Sequence, residues 1–224
     1  FMQSMPFFGI IAISATFVVT LGEIDLSFPS IVGITSLIFG IIMTSTDGNF
    51  FIAFILATSL GMFAGLVNGL LVTKIGIPSI VATIGTLFFW RGLVNVISQG
   101  SGIAIVDVAD GTWHHMIFVE KLFGKIPMQF IWFIVLTGLM QWVYRYHKFG
   151  NHIHFVGDNK ASAQMMGINV DNVKIIAFVQ LGFFSALAGI FTMYEMLYFW
   201  PTQGEGLMLT TLAAVFVGGT SVFG

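Results

Sequence analysis

The sequence predicts an all-α membrane protein, a polytopic bundle of about six or seven transmembrane helices. Hydrophobic residues make up 57% of the 224 residues and charged residues only 8%, whereas a water-soluble domain carries about 25% charged residues. The apolar residues also gather in runs of about 20, the length that a helix needs to cross about 30 Å of hydrocarbon. Lipid is therefore the solvent that this composition fits.

Composition and motifs exclude several other classes of protein. The net charge of −2 gives no electrostatic footprint for nucleic acid. The absence of cysteine excludes disulfides, thiolate metal sites and a cysteine nucleophile. The pairs His114-His115 and His152-x-His154 lack a third ligand at a suitable spacing, so no metal site is predicted. The chain contains no Walker A, HExxH or GxSxG motif, so we predict neither an enzyme nor a bound cofactor.

The apolar runs define the predicted organisation as a single transmembrane domain over residues 1–224. We expect this domain to be a fragment, followed by further C-terminal helices, because the chain lacks an initiator Met and ends in a Gly-rich stretch. The predicted membrane segments are 5–21, 26–46, 50–73, 77–99, 128–144, 173–200 and 207–224.

Lysine and arginine predict the orientation of the bundle. Arg145, Lys148, Lys160 and Lys174 lie in or beside one long polar connection, residues 145–172. Alternating the membrane segments places Lys74 on the same side. Because cytoplasmic loops carry an excess of basic residues, this side is predicted to face the cytoplasm and the loop 100–127 the outside.

The first candidate for a functional site is the polar segment between the first two apolar runs, which contains Asp25 and Ser27. Ser27 is a suitable N-cap for the following helix. The segment is either a cytoplasmic turn or a break in a membrane helix at depth, where irregular backbone must line protein or a watery cavity. The sequence of residues 20–23, TLGE, resembles that of residues 202–205, TQGE. This similarity suggests two related halves, each with a broken or re-entrant segment.

The second candidate is a polar face in segment 77–99. Arg91, Asn95 and Gln99 follow a spacing of four residues, which places them on one side of a helix. Trp90 and Phe88 flank that face, and hydroxyl-binding groups beside aromatic rings suit a neutral polyol. The alternative is helix packing for Asn95 and snorkelling for Arg91. The complete set of predicted substrate-path residues is Asp25, Ser27, Asn68, Trp90, Arg91, Asn95 and Gln99.

The third candidate is a short amphipathic helix within the polar connection 145–172. Asp158 or Asn159 can cap a helix over 160–166, and Gly167 fits the left-handed position after it. The helix is too short to be stable alone in water, and Ala161, Met165 and Met166 offer a small apolar surface. It packs either on its own domain or in a groove of a partner protein. Residues 171–172, Asp-Asn, are expected to cap the next membrane helix.

Several motifs together resemble bacterial sugar ABC permeases of the ribose/xylose/galactose type, in family order over most of the chain. Residues 22–27, GEIDLS, are similar to the element G-x-I-D-L-S of that family. The other matching stretches are 68–72 (NGLLV), 77–86 (IPSIVATIGT), 91–92 (RG), 149–151 (FGN), 157–159 (GDN), Ala161, 167–170 (GINV) and 213–221 (AAVFVGGTS).

The resemblance implies a function and a set of partners. Such permeases lie in the bacterial inner membrane as multi-pass pairs, homodimers or heterodimers, surrounded by lipid. A partner ATPase binds ATP, and a periplasmic sugar-binding protein delivers the substrate. The residues implied to couple to the ATPase are Gly157, Asp158, Asn159, Ala161, Met165 and Gly167.

The resemblance also leaves the substrate open. Glu23 departs from the Gly of many relatives, so the exact sugar is undetermined and a sugar alcohol is included. Two alternatives stay open, an ABC permease for another small solute such as branched-chain amino acids and an ion-coupled secondary carrier.

Overall fold

The computed structural model describes residues 2–220 as a bundle of helices with short strands in the connections. The helices are α1 Met5–Thr20, α2 Phe28–Ser45, α3 Phe50–Leu70, α4 Ser79–Ser98, α5 Val106–Ala109, α6 Trp113–Val119, α7 Met128–Tyr146, α8 Lys148–Asp158, α9 Lys160–Met165, α10 Val170–Met196 and α11 Leu207–Val217. A π-helical turn, Leu71–Ile75, continues α3. The strands are β1 Ile103–Ala104, β2 Lys121–Leu122, β3 Ile126–Pro127 and β4 Tyr198–Phe199.

Over the described residues each predicted membrane segment corresponds to one helix, which confirms the polytopic helical bundle. The last part of the predicted segment 207–224, residues 221–224, lies outside the described residues. Among the described residues, four helices are long and apolar enough to cross a membrane, namely α2, α3 with its π turn, α4 and α10. The apolar helices α1 and α11 are shorter. Helix α7 has 19 residues, but Gln129, Gln141 and Arg145 make it less apolar.

Helix α10 is the centre of the bundle and packs against α1, α2 and α3. Its interface with α3 is formed by glycines that allow the two backbones to touch. A Cβ atom on Gly182 would overlap the carbonyl oxygen of Gly61, and one on Gly65 would overlap that of Phe178. Small residues are needed here because lipid gives helices no hydrophobic drive to associate, so close packing holds them together.

Helix α7 packs on α1 and α8 and meets the central pair at its first turn, where the Gln129 amide donates a hydrogen bond of 2.7 Å to the Glu195 carboxylate of α10. An apolar cavity of about 330 Å³ separates it from α3 and α10, lined by aromatic and leucine side chains such as Phe54, Trp132 and Leu187. The α7 interface therefore consists of side chains around a void, unlike the backbone contact between α3 and α10.

The loops that the sequence places on opposite sides of the membrane lie at opposite ends of the bundle. Lys74 forms an ion pair of 2.7 Å with Asp171, which places the loop after α3 beside the start of α10. At the other end Gly48 packs against the carbonyl oxygen of Val108, and β1 pairs with β4 in antiparallel register. The end that carries Lys74, α8, α9 and the start of α10 is called the basic end below.

The start of α10 differs from the prediction. The helix begins at Val170 rather than after residue 172, and its cap is Asn169, whose side chain accepts a hydrogen bond of 3.0 Å from the backbone N–H of Asn172. The expectation that residues 171–172 cap this helix is therefore wrong. Asp171 lies in the first turn and pairs with Lys74 instead.

We expect Gly182→Ala to lower the melting temperature (Tm) by several degrees, because its methyl group overlaps the α3 backbone and overpacking costs about 1–3 kcal/mol. Gly138→Ala on α7 is the matched control, since a Cβ atom there meets no atom within 4 Å. Thermal unfolding of both variants in detergent measures the difference. Equal Tm values for the two variants would contradict the close contact between α3 and α10.

Candidate functional site

The segment between α1 and α2, residues 21–27, is a buried break in the bundle. The backbone N–H groups of Ile24 and Leu26 donate hydrogen bonds of 3.1 Å to the side-chain oxygens of Ser79 and Thr83. Both acceptors lie in the first two turns of α4. The segment is thus a buried irregular connection near the basic end, rather than an exposed turn.

Asp25 is the centre of a buried polar cluster inside this break. One carboxylate oxygen accepts hydrogen bonds from the backbone N–H of Ser27 at 2.6 Å and from its hydroxyl at 2.7 Å. The Asn68 amide donates to the other carboxylate oxygen at 3.0 Å and to the Ser27 hydroxyl at 2.7 Å. Thr86 donates to the Asn68 carbonyl at 2.7 Å. These side-chain polar atoms all have partners, as burial in a low-dielectric environment requires.

The cluster brings together Asp25, Ser27 and Asn68 and corrects the expected capping role of Ser27. Ser27 occupies the N-cap position of α2, yet its side chain makes no capping hydrogen bond. Its hydroxyl is used by Asp25 and Asn68 instead. Ser79, Thr83 and Thr86 were not identified from the sequence, because hydroxyl residues in membrane helices are commonly explained by packing.

Glu23 lies in the same break but faces the basic end. Its carboxylate forms a buried ion pair with Lys174 on α10 and lies 3.7 Å from the ammonium of Lys160 on α9. Partial burial and the neighbouring ammonium of Lys174 lower the pKa of Lys160. Lys174 is thus the closer partner of Glu23, and Lys160 the looser one. Asp25, only two residues away, faces the cluster around Asn68.

The predicted coupling segment lies against this break. A cavity of about 470 Å³ separates the two, lined by Leu21 and Gly22 on one side and by residues 157–161 on the other. Four predicted coupling residues, Gly157, Asp158, Asn159 and Ala161, are therefore adjacent to the break.

Helix α9 forms as the sequence predicts. Its cap is Asn159 rather than Asp158, since the Asn159 side chain accepts a hydrogen bond of 3.0 Å from the backbone N–H of Ser162. Gly167 adopts a left-handed conformation with φ of +79°. Ala163 packs into the chain, whereas Met165 is 82% exposed. The helix therefore has one face on its own domain and an apolar residue that points away from it.

Arg91 holds a second irregular segment, residues 200–206, against α2. Its guanidinium donates hydrogen bonds to the carbonyl oxygens of Pro201 at 2.9 Å and Gln203 at 3.1 Å, and a longer one of 3.4 Å to Pro29. The Gln203 amide donates to the hydroxyl of Ser36 at 2.8 Å. The segment therefore folds back along α2 before α11 begins, as expected for a re-entrant connection.

The two irregular segments share features beyond their similar sequences. Gly22 and Gly204 both have left-handed backbones, with φ of +74° and +90°. Glu23 pairs with Lys174, and Glu205 lies 3.8 Å from the guanidinium of Arg91. Each segment thus turns at a glycine and presents a glutamate to a basic residue of a neighbouring helix.

The remaining predicted path residues belong neither to the cluster around Asp25 nor to the contacts of Arg91 with residues 200–206. Gln99 is the C-cap of α4 with φ of +51°, so it has left the helical face that Arg91 and Asn95 share. Asn95 is exposed on the chain surface. Trp90 is buried, and its indole N–H has no acceptor among the described residues. The expectation of one continuous face over Arg91, Asn95 and Gln99 is therefore wrong at Gln99, because the helix ends one residue before it.

The histidine pair 114–115 has a packing role at the opposite end. His114 is within hydrogen-bond distance of the Tyr194 hydroxyl, at 2.9 Å, and stacks on the Phe50 ring. Burial and the neighbouring His115 lower the pKa of His114. Within residues 2–220, no group of three or more His, Asp or Glu side chains that could hold a metal ion is found.

Membrane-spanning helices interrupted by buried, hydrogen-bonded breaks define the class of protein as a membrane permease. The chain belongs to the family described as "Branched-chain amino acid transport system / permease component", which matches residues 1–224. It is accordingly an integral protein of the bacterial inner membrane.

Curated relatives are similar over nearly the whole of this chain. The "Autoinducer 2 import system permease protein LsrC" of Photorhabdus luminescens is 33% identical over 221 residues, which cover 96% of this chain and 63% of the relative. The protein of the same name from Yersinia pseudotuberculosis serotype O:3 is 34% identical over 216 residues, 96% of this chain and 60% of the relative. The chain thus spans less than two thirds of these relatives. No solved structure matches.

We expect Asn68→Leu to destabilise the protein by about 2–3 kcal/mol, because it removes the Asn68 donor from one buried carboxylate oxygen of Asp25 and the Asn68 acceptor from the Thr86 hydroxyl. For a domain of this size the Tm falls by about 4–12 °C. Asn95→Leu is the matched control, since it removes the same amide from an exposed site on another membrane helix. Thermal unfolding in detergent compares the two, and a Tm that falls equally in both would count against the cluster around Asp25.

Proposed function

We propose that the chain is the transmembrane permease subunit of an ABC importer that carries a monosaccharide or sugar alcohol across the bacterial inner membrane. Two similarities support this substrate class. The relatives are named as permeases of autoinducer 2 import, and the motifs of residues 22–27 and 77–86 resemble sugar permeases. The chain has no catalytic role of its own in this proposal, and ATP is bound by a partner ATPase.

The observation that carries the proposal is the physical connection between the coupling segment and the buried break. Lys160 belongs to α9 and lies beside Glu23, whose close partner is Lys174. Glu23 is two residues from Asp25, which is bonded to Asn68 on α3. A displacement of α9 therefore reaches the buried polar cluster through one short stretch of backbone.

Helix α9 has the properties of a docking element for the ATPase. A helix of six residues is not stable alone in water, so it depends on the packing of Ala163 and on the bond from the backbone N–H of Ile168 to the Ala163 carbonyl oxygen. The exposed side chain of Met165 is then free to enter an apolar groove of the ATPase. Gly167 ends the helix and fixes its position.

The other proposed partners use different surfaces. A periplasmic sugar-binding protein would dock at the end opposite the basic end. A second permease copy, identical or related, would complete the path beside α4, where Phe88, Phe89 and Val96 are exposed. Trp90, Asn95 and Gln99 are retained as proposed path residues on that helix, together with Asp25, Ser27, Asn68 and Arg91.

The geometry around Arg91 disfavours an amino-acid substrate. A substrate carboxylate needs guanidinium donors that are free to bind it, usually in a bidentate pair. In this chain both terminal nitrogens of Arg91 already donate to backbone carbonyl oxygens of Pro201, Gln203 and Pro29. A neutral substrate does not require that pair.

Substrate uptake by membrane vesicles that contain the full-length permease, its ATPase and its periplasmic sugar-binding protein tests the proposal. We expect uptake of D-ribose or autoinducer 2 to require ATP and to persist when the proton gradient is dissipated. Uptake that survives ATP depletion but stops without the proton gradient would overturn the proposal and favour an ion-coupled carrier.

We expect Glu23→Gln to reduce substrate-stimulated ATP hydrolysis about tenfold, the factor that corresponds to ~1.4 kcal/mol of lost coupling free energy. The reason is that the neutral amide no longer holds Lys174 and Lys160. ATPase assays of the reconstituted complex measure the ratio of stimulated to basal hydrolysis.

Two further variants make this test specific. The exchange Glu23→Lys with Lys174→Glu restores the buried pair and should recover part of the stimulation. Lys74→Met is the control, because its pair with Asp171 at the same end is exposed, at 56% and 41%, and such pairs contribute little. Stimulation that is unchanged in Glu23→Gln, or lost equally in Lys74→Met, would refute the connection through Glu23.

A further inference from the structure

A separate cavity lies where the re-entrant segment meets the start of α2. Its volume is about 240 Å³, and Ser30, Phe88, Arg91, Glu205 and Met208 contribute to its wall. Sites for drug-sized ligands have volumes of about 300–1,000 Å³, so this cavity suits a smaller molecule. It brings together residues from α2, α4 and the connection to α11, which are far apart in the sequence.

The two charged side chains of this cavity face each other without a hydrogen bond. The Nε atom of Arg91 is 3.8 Å from a carboxylate oxygen of Glu205, which is too long for a direct hydrogen bond. Among residues 2–220 the Glu205 side chain receives no hydrogen bond, and it is 58% exposed. A hydroxyl or water that lies beside the pair can hydrogen-bond to both groups at this separation.

The position of the pair in the bundle points to a ligand rather than to an interface anchor. Arg91 is 12 residues after the first residue of α4, which places it about 18 Å along the helix. Its side chain is directed to the re-entrant segment, where it bonds to Pro201 and Gln203. Charged groups at such a depth are costly and usually mark the pathway of a substrate.

We propose that this cavity is a binding subsite for one edge of a neutral polyol, with Glu205 as its principal hydroxyl acceptor. One substrate hydroxyl donates to the carboxylate of Glu205 and accepts from the Nε–H of Arg91, which bridges the 3.8 Å gap. The exposed ring of Phe88 offers an apolar face to the C–H groups of the same sugar. This subsite rests on the proposed function, because it assigns a place to the substrate of the importer.

The charge of the site selects the class of ligand. The charges of the guanidinium and the carboxylate sum to zero, so neither a simple anion nor a simple cation gains net electrostatic energy from binding beside both. Hydroxyl groups both donate and accept, and vicinal hydroxyls can satisfy both partners at once. A sugar or sugar alcohol meets these requirements. A zwitterionic amino acid would need to place its carboxylate on Arg91, whose terminal nitrogens already donate to backbone carbonyl oxygens.

Thiol protection tests the subsite without relying on transport. The 224 residues contain no cysteine, so Met208→Cys introduces a single reporter thiol in them, within the full-length permease purified in detergent. We expect N-ethylmaleimide to modify this thiol and D-ribose to slow the modification, whereas L-leucine should have no effect. Adding Glu205→Gln should raise the half-protecting ribose concentration about tenfold, since hydrogen bonds to charged groups are the stronger ones. Glu120→Gln, in an exposed loop of the opposite end, should leave that concentration unchanged.

Each other outcome would overturn the subsite. A thiol that the reagent does not reach would contradict an open cavity, and a rate that ribose leaves unchanged would contradict binding there. Protection by L-leucine instead of D-ribose would contradict the ligand class. Equal protection with and without Glu205→Gln would remove Glu205 from the site. Because neither ATP nor the partner ATPase is present, these failures are distinguishable from a failure of ATP-driven uptake.

Discussion

Irregular backbone inside a membrane protein must find hydrogen-bond partners within the protein, and the break between α1 and α2 is organised by this constraint. Lipid supplies no donor or acceptor, so an unpaired N–H group there costs several kcal/mol. In this chain Ile24 and Leu26 donate to hydroxyls of α4, and Ser27 donates to Asp25. The break therefore fixes α4 and α3 beside the first two helices. The buried cluster forms because the polar groups of the break need hydrogen-bond partners within the protein.

The same short segment carries two carboxylates with different tasks. Glu23 and Asp25 are separated by a single residue, yet their carboxylates reach different neighbours. Glu23 meets two lysines at the basic end, whereas Asp25 meets neutral donors deeper in the bundle. Glu23 is thus paired with lysines near the surface, whereas Asp25 is held by an amide and a hydroxyl inside the bundle. A single residue of backbone connects the two charges.

Hydropathy and capping residues predicted much of this architecture. They could not predict which groups would be the hydrogen-bond partners of the buried polar residues. The helix positions follow from apolar run length, and the end of α9 follows from Gly167. The depth of residues 21–27 could not be predicted, because it depends on Ser79 and Thr83, more than 50 residues away. Arg91 was correctly selected as an intramembrane charge. Its partners are backbone carbonyl oxygens of the 200–206 segment, which carry no sequence signal, and the loss of Gln99 from the α4 face depends on a single left-handed residue.

The glycine contact between α3 and α10 limits how the bundle can rearrange. Helices whose main chains touch cannot slide or rotate against each other without atomic overlap, so these two behave as one rigid body. Helix α7 faces them across an apolar void lined by side chains such as Phe54 and Trp132, and its contact with α10 is made by side chains such as Gln129 and Glu195. Any alternation between inward and outward forms would then occur at interfaces built from side chains. Helices α3 and α10 would keep their positions relative to each other.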